Sequence, residues 1–445
     1  MFACEKCDAQ FPKWSGRCPG CQGWGTLHEE AEAASGSAQA AVARATPKKG
    51  VRLADVETTQ HVRISAGDEE VNRVLGGGVV PGSLMLLSGE PGIGKSTLVA
   101  AIASRFGKGP EAGGAVLYVS GEESAVQLSS RFQRLGQAFG HVEYLEAEPV
   151  ETIAATIAKE KPALAIIDSI QTVPSSELDG THGGSPNLLR YATNVLLQCA
   201  KKTGVPILVI GQVTKEGTIA GPKTLEHLVD VVLSLEGDPV HAFRILRATK
   251  NRFGSTDEVG VFEMGAQGLV PVANPSERFL AERMAVPGSV ITTLQEGSRV
   301  FLVEVQALVE KSFYPTPVRR ASGFDQNRLQ MLLAILSKRA GVRLGDHDVY
   351  VNVIGGMQLT EPASDLAVCV ALLSATSGKA DAEPTVYIGE VGLGGEVRSV
   401  PQCERRLTEA ARQGMTRAVV PIKNKTAIAG LKIETVESVK EIRSY

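Results

Sequence analysis

The segment Gly89-Glu90-Pro91-Gly92-Ile93-Gly94-Lys95-Ser96 follows an apolar run at residues 84–87 and fits the pattern G-x-x-x-x-G-K-S. Glycines let the backbone turn tightly enough for its N–H groups to surround phosphate oxygens, and a helix predicted at residues 95–105 points its positive end at them. Lys95 is predicted to reach the β- and γ-phosphates, and Ser96 to give its hydroxyl to Mg²⁺. Residues 89–97, which end at Thr97, therefore predict a nucleoside-triphosphate site, with a simple glycine-rich turn as the alternative.

Length and composition restrict the class of protein. At 445 residues the chain is longer than one hydrophobic core usually serves, so at least two sizeable domains are expected. No run approaches the roughly 20 apolar residues of a membrane span, and the first residues are polar and cysteine-bearing where a signal peptide is apolar. We therefore expect a cytoplasmic protein without a membrane segment. The net charge of −3 gives no attraction to nucleic acid over the whole protein, so such binding must come from local basic surfaces.

Cysteine spacing predicts a metal site near the amino terminus. Four of the seven cysteines form two C-x2-C pairs separated by ten residues: Cys4, Cys7, Cys18 and Cys21. Residues 1–28 hold too few apolar side chains to fold without a cross-link, and disulfides are disfavoured in a reducing compartment. Four thiolates are typical of a closed, structural Zn²⁺ site, and unlinked thiols or a redox pair are the alternative. We expect Trp14 and Trp24 to pack around the two C-x2-C turns.

The rest of the chain divides by composition and pattern. Residues 29–50 are rich in Ala, Glu, Gln, Ser and Gly without an apolar period, which predicts a flexible linker. In residues 51–272 apolar runs alternate with helical stretches, which predicts a wound α/β sheet. Residues 273–445 have their own apolar elements and are expected to bury a separate core. The strands predicted for the α/β sheet are residues 84–87, 115–120, 164–168, 207–210, 231–235, 243–249 and 259–264.

Ligands of wound α/β sheets bind beyond the carboxyl ends of the strands, so polar residues that end these strands are candidates. Asp168 is placed to hold Mg²⁺, or else to cap a helix. Glu122, with Glu123 beside it, is placed to orient or deprotonate the attacking water, although either glutamate is otherwise a solvated charge. Gln212 is placed to contact the γ-phosphate and report its loss to the adjoining loop, or to cap its own turn.

These elements, in this order, resemble the RecA-like ATPase core. The segment Lys250-Asn251-Arg252-Phe253-Gly254, the four-cysteine module and the carboxyl-terminal segment make essentially the whole chain similar to the bacterial RadA (Sms) family of DNA recombination and repair proteins. The resemblance implies a hexameric ring with nucleotide between subunits, single-stranded and branched DNA as partners, and cooperation with the RecA recombinase. It also implies that Lys250 and Arg252 reach the neighbouring subunit's γ-phosphate, where an inserted cation stabilises accumulating charge.

Two long polar, glycine-rich stretches, residues 174–186 and 214–223, follow the strands that carry Asp168 and Gln212. By analogy with the RecA-like core they line a central channel and bind single-stranded DNA, and loops of this length inside a compact domain are usually functional. They contain few basic residues, so we expect contacts with the DNA backbone and little sequence preference. Ordinary surface loops are the alternative.

The carboxyl-terminal segments 351–356 and 387–395 look like the proteolytic domain of Lon-type proteases, which is α+β and uses a Ser-Lys pair. Here the nucleophile position falls on Ala363 and the lysine position on Glu404, and alanine plus a carboxylate cannot perform this chemistry. Ser364 is one residue away and is predicted to face about 100° aside on a helix. We therefore reject protease activity and expect a fold retained for assembly and DNA contact.

Residues 311–343 carry seven basic side chains against one acidic side chain, Asp325. Such an excess suits a phosphate-binding surface, with solvated charges and ion pairs as the alternative. The basic residues are Lys311, Arg319, Arg320, Arg328, Lys338, Arg339 and Arg343.

Together these features predict a zinc-bearing, DNA-dependent ATPase that uses ATP and Mg²⁺ to drive branch migration of recombination intermediates during repair. Glu122 would align the attacking water, while Lys95 and a Mg²⁺ ion held by Ser96 and Asp168 neutralise the phosphates. The alternative is a nucleotide-gated DNA-binding scaffold that does not translocate.

Overall fold

The computed structural model describes residues 2–4, 6–7, 9–29, 63–107, 114–178, 185–211, 225–237 and 243–444. The chain forms two compact units, Met1–Gln60 and His61–Tyr445. Gln212, the loop at residues 214–223, residues 179–184 of the other predicted DNA loop and nearly all of the predicted linker lie outside the described residues. Within the described ranges, no helix has both the length and the apolar character needed to cross a membrane.

The amino-terminal unit contains a three-stranded antiparallel sheet formed by β1 (Phe2–Cys4), β2 (Gln10–Phe11) and β3 (Leu27–Glu29). Its buried core consists of Cys4, Cys18 and Leu27. Trp14 and Trp24 are 61% and 76% exposed, so the expectation that they pack around the C-x2-C turns is wrong. The reason is size, because a core made mainly of cysteine side chains cannot cover an indole ring.

The second unit contains a nine-stranded sheet in the order β12-β11-β10-β9-β4-β8-β7-β5-β6. The six strands from β9 to β6 in this order are parallel, and β10 to β12 extend the sheet antiparallel. The α/β class is confirmed. The strands are β4 (Leu84–Gly89), β5 (Val116–Ser120), β6 (Val142–Glu146), β7 (Leu164–Asp168), β8 (Ile207–Ile210), β9 (Val231–Glu236), β10 (Phe243–Asn251), β11 (Val259–Gly265) and β12 (Gly268–Pro271).

Helices cover both faces of the parallel part of this sheet, which explains its continuous apolar strands. Alternate residues of β4 point to opposite faces. Leu84 and Leu86 share a core with the first pair of helices, α4 (Val150–Glu160) and α5 (Pro186–Thr203). Met85 and Leu87 share a core with the second group, which comprises α1 (Glu69–Val74), α2 (Lys95–Arg105) and α3 (Ala125–Arg134).

The carboxyl-terminal region forms a mixed seven-stranded sheet in the order β15-β16-β14-β13-β17-β20-β21, packed with helices as expected for an α+β fold. The large strands and helices are α6 (Pro275–Leu280), β13 (Ser289–Glu296), β14 (Arg299–Lys311), β15 (Arg319–Ser322), α7 (Gln326–Ile335), β16 (His347–Val353) and α8 (Asp365–Ser377). The remaining elements are β17 (Thr385–Tyr387), the hairpin β18 (Glu390–Val391) and β19 (Val397–Arg398), α9 (Cys403–Arg412), β20 (Arg417–Pro421) and β21 (Lys432–Val436).

The two large sheets share buried contacts. Val259 and Val261 of β11 belong to the same core cluster as the carboxyl-terminal helices and strands. Buried Glu70 of α1 accepts a hydrogen bond from the Val261 N–H at 2.9 Å and pairs with Arg299 of β14 at 2.5 Å. Apolar packing and an ion pair therefore join the two sheets.

A fully buried arginine forms several hydrogen bonds within the carboxyl-terminal region. The guanidinium of Arg406, on α9, donates to both carboxylate oxygens of Glu361, at 2.8 and 2.5 Å, and to the Gln295 side-chain oxygen at 3.1 Å. We expect Arg406→Ala to lower the free energy of unfolding by about 3 kcal/mol, because a partly buried carboxylate loses its partner. Chemical denaturation measures this change.

The adjacent Arg405 is exposed and supplies a matched control. Arg405→Ala is expected to change the free energy of unfolding by no more than about 0.5 kcal/mol. Equal losses in the two variants would show that the buried ion pair contributes nothing special.

Candidate functional site

The phosphate-loop pattern connects β4, which is buried along its length, to the first residue of α2. Gly89 has φ +153, and a Cβ there would lie 2.6 Å from the Leu235 carbonyl oxygen. Gly94 has φ +113, and a Cβ there would lie 2.9 Å from Met264 Cε. Gly89 requires glycine because the Leu235 backbone leaves no room for a Cβ, and Gly94 favours glycine because L side chains rarely adopt its positive φ. The tight loop predicted from the sequence is therefore present.

Lys95 lies at the start of α2 with its side chain directed back over this loop. Its ammonium group donates to the carbonyl oxygens of Gly89 at 2.8 Å and Glu90 at 2.9 Å. Burial lowers the pKa of Lys95, while the carboxylates of Asp168 and Glu122 act in the opposite direction. The ammonium group is therefore held beside the loop, and the carboxylates of Asp168 and Glu122 are close enough to affect its pKa.

The predicted nucleotide and magnesium residues meet at the carboxyl edge of the parallel sheet. Strand register places Ser120 opposite Asp168, so the loop after β5 and the end of β7 lie side by side. A cavity of about 320 Å³ opens there, and it is lined by Pro91, Gly92, Gly94, Lys95, Ser96, Thr97, Glu122, Arg131, Arg134, Asp168 and Ile210. The fold therefore brings the phosphate loop, the strand-end aspartate and the glutamate into one cavity.

Asp168 and Glu122 are each held by a neighbouring hydroxyl. Tyr118 Oη donates to Asp168 Oδ2 at 2.8 Å, and Ser169 Oγ donates to Glu122 Oε1 at 2.7 Å. Burial raises the pKa of Asp168, whereas the Tyr118 hydrogen bond lowers it. Burial, together with the Asp168 charge, raises the pKa of Tyr118, so its hydroxyl keeps the proton that it donates. Sequence reasoning missed Tyr118, whose only signal was a polar atom inside an apolar strand.

The structure distinguishes the two adjacent glutamates that the sequence could not separate. Glu122 lines the cavity that holds Lys95. Glu123 forms an ion pair with Arg131 of α3, and its backbone N–H donates to Ser120 Oγ at 3.0 Å. Glu122 is therefore the glutamate that faces the phosphate loop. Arg131 was not anticipated, because α3 is amphipathic and its arginines read as solvated charges.

Lys250 and Arg252 lie at the opposite edge of the sheet. The antiparallel register pairs Lys250 with Val232, near the amino end of β9. Lys250 Nζ donates to the carbonyl oxygens of Glu226 at 2.7 Å and His227 at 3.2 Å.

The phosphate loop begins at the carboxyl end of β4, three residues beyond the level of Lys250 in the sheet, or about 10 Å at the usual strand rise. Arg252 lies further away, beside Asp230, whose Oδ2 accepts the N–H of the first residue of β4, Leu84. Neither cation reaches the phosphate loop of its own chain.

The four predicted zinc ligands converge in the amino-terminal unit. The sulfur atoms of Cys4, Cys7, Cys18 and Cys21 all lie within 4.8 Å of one another. The Cys4–Cys21 and Cys7–Cys18 sulfur pairs are each separated by 3.6 Å. Tetrahedral coordination with Zn–S bonds of about 2.3 Å requires sulfur atoms about 3.8 Å apart. The four thiols therefore fit a tetrahedral Zn²⁺ ion.

Comparison with known proteins identifies relatives of three parts of the chain and of the chain as a whole. Sequence profiles match residues 2–29 as a rubredoxin metal binding domain, residues 49–218 as an AAA domain and residues 325–424 as subunit ChlI of Mg-chelatase. The chain is 44% identical to the DNA repair protein RadA of Bacillus subtilis, covering 99% of this chain and 97% of the relative. It is 44% identical to RadA of Halalkalibacterium halodurans over 99% and 98%, and 43% identical to RadA of Aquifex aeolicus over 99% and 97% of the two chains. The chain belongs to the RadA family of DNA repair proteins.

Membership of the RadA family and the AAA match establish an ATP-hydrolysing enzyme with a role in DNA repair. The rubredoxin match and the convergent thiols establish zinc as a second cofactor beside ATP. Both conclusions were predicted from the sequence.

The carboxyl-terminal region of this RadA family member shows where its protease-like positions lie. Ala363 is 3% exposed, and the buried Ser364 donates through Oγ to the Glu361 carbonyl oxygen at 3.0 Å. Ser364 closes a 3-10 turn before α8 rather than lying on a helix as expected, because Pro362 begins the turn. Glu404 is exposed on α9. These positions hold no Ser-Lys pair.

The predicted basic surface of this RadA family member loses one of its seven members. Arg328 donates to both carboxylate oxygens of buried Asp365 and to the Val391 carbonyl oxygen at 2.8 Å. Arg328 therefore forms a structural ion pair with the interior of the fold, in agreement with the ion-pair alternative. Arg319 is half-buried, and the exposed members are Lys311, Arg320, Lys338, Arg339 and Arg343.

Loss of one thiol should remove the metal. We expect Cys18→Ser to lose its bound zinc, because Cys18 is buried among the other three ligands and a hydroxyl is a poor replacement for a thiolate. Mass spectrometry of the metal content of purified protein measures this. Cys199→Ser, at a buried cysteine of α5, is the control and should keep about one zinc per chain. Full zinc retention by Cys18→Ser would contradict the four-thiolate site.

Proposed function

We propose that this RadA family member is a DNA-dependent ATPase that binds single-stranded and branched DNA and promotes branch migration of recombination intermediates. One observation carries the proposal. The phosphate loop lies at one edge of the sheet, while Lys250 and Arg252 lie at the other. A subunit with this arrangement can complete a nucleotide site only across a contact with a second subunit, and repeated head-to-tail contacts close into a ring.

Within one subunit, the residues of the 320 Å³ cavity divide the work of hydrolysis. Lys95 and the loop N–H groups bind the phosphates, and Glu122 orients or deprotonates the attacking water. Ser96 and Asp168 offer a hydroxyl and a carboxylate, the oxygen donors that Mg²⁺ prefers. Bound Mg²⁺ would neutralise charge on the phosphate oxygens.

Across the subunit contact, Lys250 and Arg252 supply positive charge to the neighbour's γ-phosphate. The Arg252 side chain is 55% exposed, so it is accessible to a neighbour. Arginine inserted in this way stabilises charge that accumulates during phosphoryl transfer. A hexamer is the ring that we propose, in agreement with the family resemblance.

DNA binding is assigned to two surfaces. The loops at residues 174–186 and 214–223 would contact single-stranded DNA within the ring, with Gln212 linking the second loop to the γ-phosphate. The five exposed basic residues between Lys311 and Arg343 would contact phosphates of branched DNA, which is favoured by their local charge in a chain of net charge −3. Cooperation with RecA would bring the motor to recombination intermediates.

The first test is steady-state ATP hydrolysis with and without single-stranded DNA, using Lys95→Ala as the blank. Clear stimulation by DNA supports the motor. Hydrolysis that is indifferent to DNA would contradict the proposal and leave a nucleotide-gated protein.

The second test follows a labelled branch point on a synthetic junction in the presence of ATP, with and without RecA. Movement of the branch point is expected, and RecA should increase its rate. DNA binding without movement would favour a scaffold that does not translocate.

A further inference from the structure

Tyr118 brings a hydroxyl to the nucleotide site from inside the protein core. Its side chain is fully buried and lies edge-on to Phe132, with ring centroids 6.5 Å apart. Strand β5 runs beside β7, with Tyr118 opposite Ile166 and Ser120 opposite Asp168. The ring therefore belongs to the core, while its tip reaches the carboxylate at the end of the neighbouring strand.

This hydroxyl has a specific partner. It donates to Asp168 Oδ2 at 2.8 Å, and within the described ranges no other residue donates a hydrogen bond to this carboxylate. Phenylalanine would fill the same apolar space without a polar group to satisfy. The packing of the core thus accounts for an aromatic ring at position 118 but not for its oxygen.

We propose that Tyr118 is a positioning residue that holds the Asp168 carboxylate in the orientation needed for magnesium-dependent nucleotide binding. The proposal rests on the proposed role of Asp168 as a magnesium ligand. A carboxylate held through one oxygen cannot rotate freely, so its other oxygen stays available to the cavity. Hydrogen bonds of this kind to metal ligands typically change metal affinity by 10–100-fold when they are removed.

The experiment compares the affinity for a fluorescent, non-hydrolysable ATP analogue in the presence of Mg²⁺ and in EDTA. We expect Tyr118→Phe to raise the Mg²⁺ concentration that gives half of the magnesium-dependent increase in affinity for the analogue by about tenfold. Its affinity in EDTA should remain that of the wild type, because the phosphate loop is untouched. A second readout is the thermal midpoint without nucleotide, which reports the structural cost of losing the hydroxyl.

Tyr387→Phe provides a matched control. Tyr387 is also fully buried in a strand, and its hydroxyl donates to Asp381 at 2.6 Å in the carboxyl-terminal sheet. This variant removes the same group and the same type of hydrogen bond far from the phosphate loop. It should lower the thermal midpoint to a similar extent and leave the magnesium dependence unchanged.

Asp168→Asn separates the positioning role of Tyr118 from the proposed role of Asp168 as a magnesium ligand. If this variant loses magnesium dependence and Tyr118→Phe shifts it, the positioning role is supported. If Asp168→Asn loses it while Tyr118→Phe matches Tyr387→Phe, the positioning role is overturned and the magnesium role of Asp168 stands. If Asp168→Asn keeps wild-type magnesium dependence, Asp168 is not a ligand and the inference falls with it.

Discussion

Replacement of Lys95 by alanine should lower the rate of ATP hydrolysis by about 10³-fold, with or without DNA. The ammonium group lies against the loop carbonyls of Gly89 and Glu90 and shares a cavity with Glu122 and Asp168. Without this ammonium group, the negative charge that develops on the phosphate oxygens during phosphoryl transfer is less well stabilised. Steady-state release of phosphate from ATP measures the effect.

Lys159→Ala is the matched control for Lys95→Ala. The Lys159 side chain is 83% exposed on α4 and pairs only with its neighbour Glu160 among the ion pairs of the described residues. Its loss should leave the hydrolysis rate within a factor of about two, because Lys159 does not line the cavity that holds Lys95 and its exposed ion pair contributes little to stability. Wild-type hydrolysis by Lys95→Ala would remove this lysine from the proposed mechanism.

The second large effect concerns Lys250 and Arg252, which lie near the amino ends of the parallel strands, away from the phosphate loop. Lys250→Ala and Arg252→Ala should each reduce DNA-stimulated hydrolysis by about 10³-fold or more, which is the range measured for inserted arginines. Neither change should unfold the protein. Asp230 keeps Lys201 at 2.7 Å when Arg252 is lost, and the carbonyls of Glu226 and His227 lie near enough to the surface for water to replace Lys250.

A mixing experiment tests whether these cations act between subunits. Lys95→Ala retains Lys250, and Lys250→Ala retains Lys95, so a mixed ring contains contacts at which both residues are present. Equal amounts of the two inactive variants should recover about a quarter of the wild-type activity if subunits assort randomly around a head-to-tail ring. No recovery in mixed rings, shown to be mixed by co-purification of two different tags, would contradict trans action.

The phosphate loop and the C-x2-C pairs were predictable from short sequence spacing, and Asp168 and Glu122 from the rule that ligands bind beyond the carboxyl ends of parallel strands. Specific side-chain pairs between neighbouring strands and helices were not predictable. The phosphate loop and the C-x2-C pairs are local patterns, so their geometry follows from a few neighbouring residues. Tyr118 and Asp168 are 50 residues apart, and Arg328 and Asp365 are 37 apart. These pairs depend on which strands and helices become neighbours, and no local pattern encodes that choice.

The same reasoning applies to the elements that were missed. Strand β6 lies at the edge of the nine-stranded sheet with a partly exposed burial pattern, so its sequence lacks the continuous apolar run of the central strands. The position of Lys250 beside the amino end of β9 depends on the antiparallel register between β9 and β10. Its basic character was visible in the sequence, but its distance from its own phosphate loop was not.

The chain contains two tryptophans, and both lie exposed in the amino-terminal unit. Indole emission excited at long ultraviolet wavelength therefore reports on this zinc-bearing unit and on whatever approaches it. The unit that spans His61–Tyr445 carries no tryptophan and stays dark in the same measurement. A partner that covers these exposed rings therefore changes an emission that comes from the small unit alone, without any added label.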